Sequence, residues 1–133
     1  MIGERYLLDT TVLIDHALGR FGANALLERL FAETGDLYTC DVVVIEALTA
    51  GTAEEVEIIG RLIEALEFVS TTPEAARQAA AFRRERLRVG RRHLGDAVVV
   101  GVARSLRATI VTRNARDFAN CGVPVLTYGT PPA

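Results

Sequence analysis

Apolar residues fall into two rhythms along this chain. Short, nearly continuous runs read as buried strands: RYLLD at 5–9, DLYTC at 36–40, EFVS at 67–70 and ATIVT at 108–112. Between them apolar positions recur every three or four residues, the spacing of a helix face. Segments 10–18 and 22–34 read as helices, the second with Leu26, Leu27 and Leu30 on one face. A helix at 41–50 takes Asp41 as its N-cap, and 53–66 brings Val56, Ile59, Ile63 and Leu66 into step. Thr72 and Pro73 open a helix running to about Val89, where Gly90 ends it. An almost wholly apolar helix follows at 94–106, then a turn or short helix at 114–118. VPVLT at 123–127 reads as a last strand, at a sheet edge because Pro124 lacks a donor.

Strands alternating with helices predict an α/β fold: three layers, α/β/α, around a central parallel sheet of four to five strands. The 133 residues fit one domain, 1–133. The longest apolar run, 97–103, is too short to span a bilayer. MIGERYLLDT carries Glu4 and Asp9 and does not read as a signal peptide. Cys40 and Cys121 match no metal or redox spacing and read as free buried thiols in a reducing cytoplasm.

In open α/β sheets, sites form outside the carboxyl ends of the strands. That rule selects four acids. Asp9 ends the first strand, Glu46 lies a turn into the helix after the second, Asp96 opens the 94–106 helix, and Asp117 follows the fourth strand. Thr10, Thr11, Thr112 and Asn114 surround them with small polar groups. Each acid has a plainer reading. Asp9 and Asp96 suit helix N-caps, and Asp117 suits an exposed turn. Glu46 is harder to place, because VVVIEALTA puts a carboxylate in an apolar helix, where burial without a partner costs several kcal/mol. Four carboxylates in one pocket repel one another and stay ionised only beside a cation. Mg²⁺ or Mn²⁺ fits all-oxygen ligands and suits phosphodiester hydrolysis.

Charge sharpens this picture. Residues 1–67 hold thirteen acids and four Arg, whereas 68–133 hold four acids and eleven Arg, although the net charge is only −2. Arg83, Arg84, Arg86, Arg88, Arg91 and Arg92 crowd into ten positions just before Asp96, and Arg113 and Arg116 lie just before Asp117. The run is either a solvated helix face or a phosphate-binding rim for RNA, since guanidinium forks match phosphate oxygens.

LLDTTVLID, VVIEALTAG, HLGDAVVVGVARSL and ATIVTRNARDF resemble, in order, the four motifs of PIN-domain ribonucleases, and most of all the VapC-type toxins of toxin–antitoxin pairs. The resemblance spans residues 6–126. It implies a Mg²⁺- or Mn²⁺-dependent endoribonuclease cutting tRNA or another structured RNA, a homodimer, and inhibition by a cognate antitoxin. Carried over by position, the catalytic and metal-binding acids are Asp9, Glu46, Asp96 and Asp117, supported by Thr11, Thr112 and Asn114. Thr11 stands where relatives often have Asn or Ser, and Asn114 competes with Asp117 as fourth ligand. For the antitoxin, Leu13, Phe21, Leu62 and Leu66 are candidates for a groove, with ordinary core as the alternative.

Other classes fit less well. Haloacid-dehalogenase-type phosphatases need a second Asp two residues after the first, where this chain has Thr11, and a Lys, which it lacks altogether. A phosphorylatable receiver domain fails for the same want of Lys, and no GK[ST] or GxGxxG occurs. The remaining rival is a catalytically silent PIN-like module that binds RNA or protein.

Overall fold

A computed structural model describes residues 4–87 and 93–129. Five strands form one parallel sheet in the order β3-β2-β1-β4-β5. In chain order the elements are β1 (Tyr6–Leu8), α1 (Thr10–Leu18), α2 (Ala23–Glu33), β2 (Leu37–Cys40), α3 (Asp41–Thr49), α4 (Ala53–Ala65), β3 (Glu67–Val69), α5 (Pro73–Leu87), α6 (Leu94–Leu106), β4 (Thr109–Thr112), a 3₁₀ turn (Ala115–Phe118) and β5 (Val125–Thr127). The strands are the predicted runs trimmed at their ends, and β5 lies at an edge as Pro124 requires.

From β1 the chain adds β2 and then β3 in one direction, and then returns to lay β4 on the other side of β1. Right-handed crossovers therefore put α1–α4 on one face of the sheet and α5–α6 on the other. Packing agrees: α1 touches α3 and α4, and α5 packs along α6. The reversal occurs between β1 and β4, so the crevice beyond their carboxyl ends is the topological switch point. Asp9 directly follows β1, and Thr112 ends β4.

The core explains why each element sits where it does. Leu7, Leu8, Ile110 and Val111 of the two central strands are wholly buried. Helix α6 is apolar nearly all round because it is covered on two sides, by the sheet and by α5. The approach to α5 is so close that a Cβ on Gly101 would lie 2.2 Å from the Ala75 carbonyl oxygen. Thr52 and Glu55 form a reciprocal capping box at the start of α4. The Thr72 hydroxyl accepts from the Ala75 N–H at 3.1 Å, capping α5 as its sequence suggests.

Several sequence expectations are corrected. Cys40, not Asp41, occupies the N-cap of α3. Asp41 is its first helical residue, and its carboxylate reaches across to the Thr71 hydroxyl at 2.6 Å and the Thr71 N–H at 3.0 Å. That cross-strand use was invisible locally. Gly90 lies outside the described residues. Leu13 and Leu66 are buried core, Leu62 is buried but forms part of the floor of a surface depression beside His16 and Phe31, and Phe21 is the exposed member of that set. The reading of Cys40 and Cys121 as free buried thiols holds. Among the described residues no helix is long and apolar enough to cross a membrane.

Candidate active site

Asp9 is the centre of the site. It sits at the N-cap position of α1 without making the side-chain cap bond, so the helix-cap reading fails for its carboxylate. That carboxylate turns to two hydroxyls instead. The Thr112 hydroxyl donates to Asp9 Oδ2 at 2.9 Å, and the Thr11 hydroxyl donates to the same oxygen at 3.2 Å. Backbone donors set the direction of both bonds. Asn114 N–H donates to the Thr112 oxygen at 3.0 Å and Arg113 N–H to the Thr11 oxygen at 3.2 Å. Each hydroxyl has one proton, which is left to point at Asp9. Burial pushes the Asp9 carboxyl above the usual range, the Thr112 and Thr11 hydroxyls pull it back, and the charge of Glu46 pushes it up again.

Asp96 is not a cap. His93 holds the N-cap position of α6, and Asp96 lies in the first helical turn, on a more deeply inserted side. Its carboxyl is pushed up to about 6, first by burial and then by the negative charges of Asp9 and Asp117, with His93 opposing and Glu46 adding to the rise. The helix dipole favours an anion there, but the neighbouring acids outweigh it.

Glu46 overturns the burial argument. It is exposed, and Thr10 donates a hydroxyl to its Oε1 at 2.8 Å. The apolar letters around it belong to other faces of α3, such as buried Val43 and Ala47. What ties Glu46 to the site is Gly95: a Cβ there would lie 2.6 Å from Glu46 Oε2. The absence of a side chain at Gly95 lets the Glu46 carboxylate lie against the start of α6.

Asp117 lies on the 3₁₀ turn, half-buried, and lines a small crevice with Phe82, Arg83, Arg86, His93, Asp96 and Ala97. Asn114 is exposed and serves the site through its backbone N–H.

The eight candidate arginines divide. Arg83 and Arg86 line the acid crevice from α5. Arg86 is also a tether, donating to the carbonyls of Arg116 at 3.2 Å and Asp117 at 2.9 Å. Arg84 and Arg116 are exposed. Arg113 turns away from solvent and is bound to Asp15 at 2.7 Å. Arg88, Arg91 and Arg92 lie outside the described residues.

Sequence reasoning passed over Asp15. It is 0% exposed and accepts from Arg20 at 2.8 Å, Arg113 at 2.7 Å and the Tyr128 hydroxyl at 2.7 Å. Its position on the buried face of α1, six residues after Asp9, was the available signal.

The acids bearing on Asp96 offer oxygen donors that repel one another, which fits a hard divalent cation, and His93 lies in the same crevice. Among the described residues, however, no group of three or more His, Cys, Asp or Glu side chains is set closely enough to hold a metal ion by itself. Any ion held here is completed by water, as Mg²⁺ commonly is.

The family model described as "PIN domain" matches residues 6–123. The chain belongs to the PIN-domain family. Solved structures agree on the fold. A toxin–antitoxin complex from Klebsiella pneumoniae is 27% identical, with a TM-score of 0.74 over 92% of this chain and 96% of that one. DNA-bound VapBC from Salmonella typhimurium is 21% identical, with a TM-score of 0.80 over 94% and 98%. VapBC2 from Rickettsia felis, bound to a promoter DNA fragment, is 16% identical, with a TM-score of 0.78 over 92% and 98%. No curated protein matches the chain. This PIN domain thus has its acids at the switch point, with three of them bearing on Asp96.

Proposed function

We propose that this PIN domain is a Mg²⁺- or Mn²⁺-dependent endoribonuclease, the toxin of a toxin–antitoxin pair. The observation that carries the reading is the gathering of Asp9, Glu46 and Asp117 around half-buried Asp96, whose carboxyl is raised to about 6 by burial first and then by their negative charges. A folded protein maintains such repulsion at a cost, and a divalent cation removes it. Asp9, Glu46, Asp96 and Asp117 would hold the ion, which when bound supplies an activated water and offsets charge on the phosphate and leaving oxygen. Thr11 and Thr112 orient Asp9, Thr10 steadies Glu46, and Gly95 sets Glu46 beside the first turn of α6. Arg83 and Arg86 line the crevice beside Asp96 and would meet RNA phosphates there, with Arg84 and Arg116 on the outer rim and Arg88, Arg91 and Arg92 extending the run.

For partners, the Klebsiella, Salmonella and Rickettsia proteins were crystallised as toxin–antitoxin complexes. We extend that to this chain: a cognate antitoxin, a homodimer, and a cytoplasmic setting. Two surface depressions flank α1. Ile14, Ala17, Leu18 and Ile59 line one, and His16, Leu27, Phe31 and Leu62 line the other. Of the groove expected from Leu13, Phe21, Leu62 and Leu66, only Leu62 lines either depression, so these two surfaces take its place as the seat for an antitoxin.

The test is a panel of tRNA and other structured RNAs incubated with Mg²⁺, Mn²⁺ or EDTA, beside Asp96→Asn. Metal-dependent cuts that vanish in the variant are expected. A second reading, a silent RNA- or protein-binding module, is favoured by the lack of any close-set metal cluster among the described residues. It gains if no RNA is cut and calorimetry detects no Mn²⁺ binding.

A further inference from the structure

Two arginines share one buried acid, and only one of them leads to the site. Asp15 lies at the heart of α1, wholly shielded from solvent. Arg20 reaches it from the exposed α1–α2 connection. Arg113 reaches it from the segment just past β4, where the sheet ladder has ended after Thr112 and no longer fixes the backbone. The Arg113 guanidinium is also clamped from above, 4.3 Å from the centroid of the Phe21 ring. Its side chain is thus held at one edge by Asp15 and on one face by Phe21, and its backbone N–H is the group that donates to the Thr11 hydroxyl at 3.2 Å. That hydroxyl then donates to Asp9 Oδ2. The route from Asp15 to Asp9 is thus continuous, through the Arg113 residue and the Thr11 hydroxyl, across two separate segments of chain. Thr11 also lies beside the Tyr128 hydroxyl, which itself donates to Asp15.

We propose that Asp15 is a positioning residue: by anchoring Arg113 it fixes the rotamer of Thr11, and so the orientation of the Asp9 carboxylate. The consequence for catalysis rests on the reading of Asp9 as a metal ligand, but the positioning itself does not. The chemistry suits the task. The acid side of this ion pair has 0% exposure, so the Asp15 carboxylate has no solvent alternative to its protein partners, while the Arg113 side chain keeps 26% exposure. A hydroxyl, by contrast, rotates freely unless a donor occupies its lone pair. Arg20→Ala supplies a control, since it removes a comparable charge from Asp15 and no donor to Thr11, although the Arg20 guanidinium also lies 5.2 Å from the Phe21 ring.

The experiment compares full-length wild type with Asp15→Asn, Arg113→Lys and Arg20→Ala. Three-bond couplings of the Thr11 methyl report its rotamer by NMR, calorimetry reports Mn²⁺ affinity, and cleavage kinetics separate kcat from KM. Expected in Asp15→Asn and Arg113→Lys are averaged Thr11 couplings, about tenfold weaker Mn²⁺ binding and about tenfold lower kcat, since a misplacement of about 1 Å costs as much as 100-fold. KM in Asp15→Asn stays within about twofold, because no RNA-facing group is removed. Arg20→Ala lowers the melting temperature yet leaves Thr11, Mn²⁺ affinity and kcat as in wild type. Unchanged Thr11 couplings in Asp15→Asn overturn the proposal, as does an Arg20→Ala variant that loses all three readouts equally. If wild type binds no Mn²⁺ and cuts no RNA while Thr11 still averages in Asp15→Asn, the positioning stands and the nuclease reading falls.

Discussion

Asp9 and Asp15 stand six positions apart on one strand–helix junction, and both are buried, at 5% and 0% exposure. Their electrostatics are opposite. For Asp15, burial pushes the carboxyl up, but hydrogen bonds from Arg113, Arg20 and Tyr128 more than reverse this and hold it below the usual range. For Asp9, burial also raises the carboxyl, but its partners are neutral hydroxyls and its charged neighbour is Glu46, so it stays high. A buried charge with its counter-charges in place is structure. A buried charge left with dipoles and a like charge is poised for a cation the chain does not supply. Asp96 belongs with Asp9 in this respect, since burial and then the Asp9 charge raise its carboxyl.

The comparison can be broken in order of expected size. Replacing Asp15 by Ala leaves the buried Tyr128 hydroxyl without its acceptor and the partly exposed Arg113 and Arg20 without their counter-charge, and should cost about 2–3 kcal/mol in urea denaturation. A loss below about 1 kcal/mol would mean the network is dispensable. Asp9→Asn removes a charge that nothing compensates, so the metal-free protein should keep its stability within about 1 kcal/mol. The same variant should lose metal-dependent cleavage by about 100-fold or more. A large loss of stability there would put Asp9 in the same class as Asp15.

The pH dependence separates them further. The folded carboxyl of Asp96 lies at about 6, above its ordinary 3.8, so the folded state binds a proton more tightly than the unfolded one. Stability should therefore fall as pH rises from about 4 to 6, by about 1 kcal/mol once solvent screening is discounted. Added Mn²⁺ should restore it, and Asp96→Asn should flatten the slope. The Asp15 carboxyl is held low, so its contribution is present above 3.8 and disappears as pH falls towards its folded value. Opposite slopes on the two sides of pH 4 are the expected melting profile. The smallest effect is Thr112→Val, which keeps the shape but leaves Asp9 without one donor and the Asn114 N–H without an acceptor. About 1 kcal/mol of stability should go with it.

Much of this arrangement was legible beforehand. The strand runs, the helix periods and the sheet-edge rule led to Asp9, Glu46, Asp96 and Asp117 without any knowledge of contacts, and the PIN resemblance matches the family found. Glu46 shows the limit of reading by neighbours. Four apolar residues precede it, yet it is exposed, because a helix distributes consecutive letters around its circumference. Arg113 shows another limit. As a basic residue just before Asp117 it read as an RNA contact, and the fold gives it a buried acid from a segment 98 residues earlier.

The sequence by itself determined the alternation of elements, the single parallel sheet and the set of acids at its carboxyl edge, because hydrophobic period and strand direction are written locally. Only the tertiary structure decided which acids are neutralised and which are left in mutual repulsion. That outcome depends on burial and on charges brought from distant parts of the chain. Spacing along a chain carries neither quantity until the sheet reverses direction and brings β4 to the side of β1.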